Sequence, residues 1–134
     1  AACDRLPLVV VYGSNSADVR AKSKALAVQA WGELIGRCVF ASTWDSEALG
    51  AVSGNPGRGI LVIQPGAYGS KGTLLATVEA EGPKLGERLA KALGKHRATS
   101  ASSVRGHVRA GQRQGVHWET AIPVTDPGPP GRRR

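Results

Sequence analysis

Methionine is absent from the 134 residues of this chain, cysteine and tyrosine occur twice each, and phenylalanine occurs once. Aromatic residues make up only 4%, and the most basic segment carries no row of rings on which bases would stack, which excludes base stacking as its main chemistry. Two cysteines allow one disulfide at most. No apolar run is long enough to cross a bilayer as a helix. The missing methionine, at position 1 as elsewhere, leads us to expect a processed chain from which an export or organelle-targeting segment has been removed, a trimmed chain being the alternative. Acidic groups are scarce too: ten stand against eighteen Lys and Arg, for a net charge of +8. That balance favours a polyanionic neighbour (RNA, an acidic protein or a membrane surface), and solubility alone would also account for it.

The charge is unevenly placed. Residues 98–134 hold six arginines, no lysine, and only Glu119 and Asp126 as acids. The chain therefore divides into a domain, 1–97, and a basic extended tail, 98–134. The length suits one core.

Within the domain, residues 6–12 are apolar and β-branched without alternation, as in a strand buried on both faces. From 18 to 35, Val19, Leu26, Ala27, Ala30, Trp31, Leu34 and Ile35 recur at helical spacing; Ser14 to Ser16 cap the helix and Gly36 closes it. On this pattern Trp31 is expected in the core. Residues 37–43 predict a second strand, "DSEALGAV" a short helix, and 59–64, "GILVIQ", the clearest strand of all. "TLLATVEA" is expected to pair back on "GILVIQ" as a hairpin, with Lys71 in the intervening turn. Pro83 then opens a helix that ends at Gly94. Strands joined through helices are expected to be parallel by right-handed crossover. From residue 98 no period is sustained, and an irregular tail is expected.

The segments "LVVVYGSNSADVRAKSKALAVQAW", "CVFASTWDSEALGAV", "GRGILVIQPGAYGSKG" and "TLLATVEAEGPKLGERLAKALGK" follow one another in an order that resembles the thioredoxin-like superfamily, in particular the redox-inactive b-type domains of protein disulfide isomerases. The resemblance covers residues 6–95. It implies an α/β three-layer sandwich whose mixed sheet ends in a β-hairpin and a C-terminal helix. In the catalytic thioredoxins of that superfamily the resemblance would place two cysteines within residues 13–19, where this chain has no thiol, and a cis-proline just before the third strand, where it has Arg58 and Gly59. Pro56 stands three residues too early. Thiol exchange needs a thiolate at the first position, so the resemblance implies a non-catalytic relative with no cofactor. The same turn, with "GAYGSKG", also resembles the loops of flavodoxin-like FMN domains. There Ser14 and Ser16 fit the phosphate loop, but Ala17 and Val19 replace its glycine and last threonine.

In the fold so implied, Cys3 and Cys38 precede neighbouring parallel strands. A Cys3–Cys38 disulfide would close a loop of about 35 residues and add ~3 kcal/mol by restricting the unfolded chain; the alternative is a buried Cys38 and an exposed Cys3. His96, His107 and His117 lack carboxylate or cysteine neighbours at ligand spacing and are expected at the surface. Trp44 begins a loop, and Trp118 stands alone in the tail as an anchor of the kind that fills a partner's pocket. Arg105, Arg109 and Arg113 recur every four residues, and Arg132, Arg133 and Arg134 close the sequence; guanidinium groups grip carboxylate and phosphate in bidentate fashion.

These residues lead to one main expectation. The chain is read as a structural subunit that docks into a large macromolecular complex, such as an organellar ribosome or a photosynthetic or respiratory assembly, through its body and basic tail. Its partners would be other protein subunits or RNA, and its place a plastid or mitochondrion. The alternatives are a binding or chaperone-type module of a secretory or extracellular compartment and an FMN-binding domain.

Overall fold

The computed structural model describes residues 1–2, 4–98 and 103–117. Nine elements follow in order: β1 (Leu8–Tyr12), α1 (Ser16–Leu34), β2 (Val39–Thr43), a 3-10 turn (Glu47–Leu49), β3 (Val52–Ser53), β4 (Gly59–Pro65), β5 (Gly72–Val78), α2 (Leu85–Leu93) and α3 (Val104–Arg113). The strands form one mixed sheet in the order β2-β1-β4-β5-β3. The architecture is α/β, with β4 and β5 as the expected antiparallel hairpin.

β4 lies at the centre because its sequence leaves it no wet face. Ile60 and Val62 point to one side, Leu61 and Ile63 to the other, and all four are buried. On the first side they meet α1 and α2 through Val19, Leu26, Ala30, Leu34, Leu85 and Leu89. The two helices approach closely at Gly86, where a Cβ would come within 3.1 Å of Glu33 Cγ and 3.3 Å of the Gln29 carbonyl. On the second side, Leu61 and Ile63 join Val10 and Leu49, with Leu8, Tyr12, Val52 and Leu74 packed around them. "TLLATV" does not alternate, and the pairing explains why: Val62 faces Ala76 while Ile63 faces Leu74, so Leu75 is the extra residue of a β-bulge. The bulge lets Leu75 and Ala76 both pack toward the helices while Leu74 serves the other face.

Four expectations need correction. First, β4 runs antiparallel to β1 rather than parallel. The segment between β2 and β4 is no crossover helix; Gly50, Gly54, Pro56 and Gly57 keep it to a 3-10 turn and the two-residue β3, and the chain reverses at the sheet edge. Second, among the described residues the third layer is incomplete: the face of Leu61 and Ile63 is covered by that turn rather than by a helix. Third, the tail is not irregular throughout: Ser103 caps α3 by accepting the Gly106 N–H at 3.0 Å. Fourth, Trp31 is not core; it lies on the flank of α1 that overhangs β2 and is 48% exposed.

Substituting Ile60→Asp is expected to abolish the cooperative thermal transition. An unpaired carboxylate at this site costs several kcal/mol, against a total stability of about 5–15 kcal/mol for a domain of this kind. A melt by circular dichroism at an unchanged temperature would contradict this placement of the core.

Candidate functional site

The loop between β1 and α1 is tied to itself. Asn15 caps α1 by accepting the Asp18 N–H at 2.9 Å, and the Asp18 carboxylate turns back to accept the Ser14 N–H at 2.8 Å and the Ser14 hydroxyl at 3.2 Å. Lys22, one turn further on, donates to the other carboxylate oxygen. The Lys22 ammonium and the Ser14 N–H hold the Asp18 carboxyl at a pKa of about 2. Gly13 is required here: a Cβ would lie 2.9 Å from both the Asp18 carboxylate and the Val19 nitrogen. The helix N-terminus therefore has a resident negative charge from its own side chain, which disfavours a second anion beside it.

Where a catalytic thioredoxin would carry its reactive thiol pair, this turn offers only hydroxyls, an amide and a salt-bridged carboxylate. Cys38 lies elsewhere, buried just before β2, with its Sγ donating to the Leu34 carbonyl at 3.7 Å. Burial pushes its pKa up, the neighbouring Arg37 charge opposing. A thiol so placed is a poor nucleophile. Cys3 lies outside the described residues, and with it the pairing of Cys3 and Cys38.

The arginines read from the tail fall into two groups. Arg105, Arg109 and Arg113 all lie exposed on α3, and their four-residue spacing sets them along one side of it. The opposite side faces the body. His107 is only 6% exposed, a correction to its expected surface position, and its ring lies 5.5 Å from that of Tyr68 in the β4–β5 turn. Gln114 Nε2 donates to the Tyr68 hydroxyl at 3.0 Å. Before α3, the Gln64 side chain bonds the Arg97 backbone twice, at 2.9 Å each, leading the chain along the end of β4. Sequence reasoning missed this helix because Gly106 and Gly111 dilute its propensity; the Ser103 cap and the arginine period were the signals. Trp118, Arg132, Arg133 and Arg134 lie outside the described residues.

The remaining polar candidates are scattered. Lys71 is exposed in the β4–β5 turn, as its sequence position predicted, with its carbonyl accepting the Gly66 N–H at 2.7 Å. Partial burial lowers the pKa of His96, whereas His117 is exposed. Among the described residues no three His, Cys, Asp or Glu side chains gather as a metal site would require. A groove of about 310 Å³ runs between α1 and β2, lined by Leu26, Ala27, Trp31, Phe40 and Ser42, with the Trp31 and Phe40 rings stacked at 5.5 Å. Trp44, past the end of β2, is exposed as expected for a loop.

Compared with protein-family models, curated proteins and solved structures, the chain matches none.

The depressed Asp18 pKa carries a pH prediction. Because the folded value of about 2 lies below the ordinary 3.8, the contribution is full above the ordinary value and is lost as pH falls toward the folded one. Denaturant midpoints measured between about pH 5 and pH 2 should fall less steeply for Asp18→Asn than for the parent chain. Parallel curves would show that the carboxylate does not stabilise the turn.

Proposed function

We propose that this chain is a non-catalytic, thioredoxin-like docking subunit that grips the polyanionic face of a large assembly through the arginines of α3. The parallel β1–α1–β2 unit, the β4–β5 hairpin and the return of α2 to the side of α1 support the domain reading. The self-satisfied β1–α1 turn and the buried Cys38 support a role without thiol chemistry.

The observation that carries the docking reading is the two-sided construction of α3. Arg105, Arg109 and Arg113 share one exposed side, the helix contains no acidic residue, and the other side is held to the body by His107 and Gln114. A cationic row on a tethered helix loses less freedom on binding than the same arginines on a loose segment, so more of each contact appears as affinity. Three guanidinium groups at one-turn intervals, about 6 Å apart along the axis, suit a run of phosphates or carboxylates.

Sedimentation of a tagged full-length chain from its own cells should find it in heavy fractions, and Arg105→Ala/Arg109→Ala/Arg113→Ala should move it to light ones with its circular dichroism unchanged. Raising salt should release the parent chain in the same way. Persistence of the triple variant in the heavy fractions would overturn the assignment of α3.

The purified chain is also expected to give no turnover in an insulin-reduction assay. A rate comparable to that of a catalytic thioredoxin would overturn the non-catalytic reading.

A further inference from the structure

The two edges of the sheet are treated differently. One ends in β3, two residues long, which offers little backbone for pairing. The other is β2, five residues long, with the sequence "VFAST". Edge strands are commonly protected by lysine, proline or a bulge. β2 has none of these, although the chain carries eighteen basic residues and eight prolines.

The hydrogen bonds fix which backbone groups face outward. The Val39 N–H bonds the Pro7 carbonyl and the Thr43 carbonyl accepts from Gly13, so Val39, Ala41 and Thr43 turn their backbone inward to β1. By alternation Phe40 and Ser42 turn theirs outward, and no strand among the described residues pairs with them. On the helical side this edge is overhung by the flank of α1, where Val28, Trp31 and Ile35 are 76%, 48% and 61% exposed. These three follow at helical spacing along one stripe that also holds Lys24.

We propose that β2 pairs antiparallel with β2 of a second copy of this chain, across a two-fold axis at Ala41, to give a symmetric dimer with a continuous ten-stranded sheet. The register is self-complementary. Phe40 meets Ser42 of the other copy as the hydrogen-bonded pairs, and the small Ala41 side chains face each other at the close, non-bonded position. The same register carries Arg37, at the start of the strand, to Asp45, where the other copy's strand ends. In one copy the half-exposed Arg37 donates to the Glu33 carbonyl at 3.1 Å with the Glu33 carboxylate 4.0 Å away, and Asp45 accepts the Glu47 N–H at 2.9 Å; in the dimer the Arg37 guanidinium exchanges its exposed contact with Glu33 for the free Asp45 carboxylate oxygen.

The helices fit the same axis. α1 packs over both β1 and β2. With strands about 4.8 Å apart, a helix centred over two strands and its symmetry mate lie roughly 10 Å apart, which is the spacing of packed helices. Val28 then falls near the axis, and Trp31 of each copy meets the other copy's Lys24, covering the apolar stripe and the groove beside it. This dimer is independent of α3 and of the proposed docking function.

Light scattering on the purified full chain, with dilution from about 200 to 1 μM, should give twice the 13.9 kDa chain mass at the upper end. Ala41→Lys places two like charges on the axis at a site exposed in one copy, and should weaken the dimer by about 100-fold with its melting behaviour retained. The register has its own test. Arg37→Asp and Asp45→Arg should each be monomeric alone, whereas an equimolar mixture should form a heterodimer, since each end then joins an aspartate to an arginine. A chain that stays monomeric at the highest concentration, or a dimer indifferent to Ala41→Lys, overturns the proposal. A dimer lost in both single variants but not regained on mixing overturns the register.

Discussion

Four consecutive residues of β4, Ile60 to Ile63, are almost wholly removed from water, and this two-sided burial is the constraint around which the molecule is arranged. Each such side chain stabilises the fold by about 1.5–3 kcal/mol when buried on both counts of area and packing. A strand with no polar face must have neighbours on both edges and cover on both sides. β1 and β5 supply the edges, α1 and α2 cover one side, and the chain from Leu49 to Val52 closes the other.

That economy has consequences at the periphery. With only a 3-10 turn and a two-residue strand spent on the second side, β3 is too short to act as a pairing edge. The 19-residue α1, by contrast, is wider in its apolar surface than two strands can hide. Trp31 therefore stacks on Phe40 at the rim of the sheet instead of entering the core. The open edge of β2, the groove and the exposed stripe of α1 are one surface, formed by the same mismatch between helix and sheet.

The β1–α1 turn and α3 are built by opposite means. In the β1–α1 turn, Asp18 accepts from the Ser14 N–H and hydroxyl, and the turn is locked onto itself. On α3, the polar contacts of Gln114 and the ring contact of His107 are spent on holding the helix to Tyr68, which leaves the arginine side facing outward. One element is closed on itself, and the other turns its cationic side to solvent.

Much of this was legible in the residues. The unbroken apolar runs named β1 and β4, the three- and four-residue spacing named α1 and α2, and the glycine-rich turn named the hairpin, because each is a local pattern with a local cause. The absence of a thiol from the β1–α1 turn and the four-residue period of Arg105, Arg109 and Arg113 were likewise there to be read. What sequence alone did not decide was direction and depth. Whether β4 runs with or against β1 depends on where a loop of glycines and a proline leaves the sheet, and that is settled by strand pairing across some fifty residues. Whether Trp31 is core or rim depends on how far β2 extends beneath α1, and whether His107 is surface or buried depends on Tyr68, thirty-nine positions earlier in the chain. Periodicity specifies which side of an element is apolar; only the tertiary structure specifies how much of that side finds something to cover it.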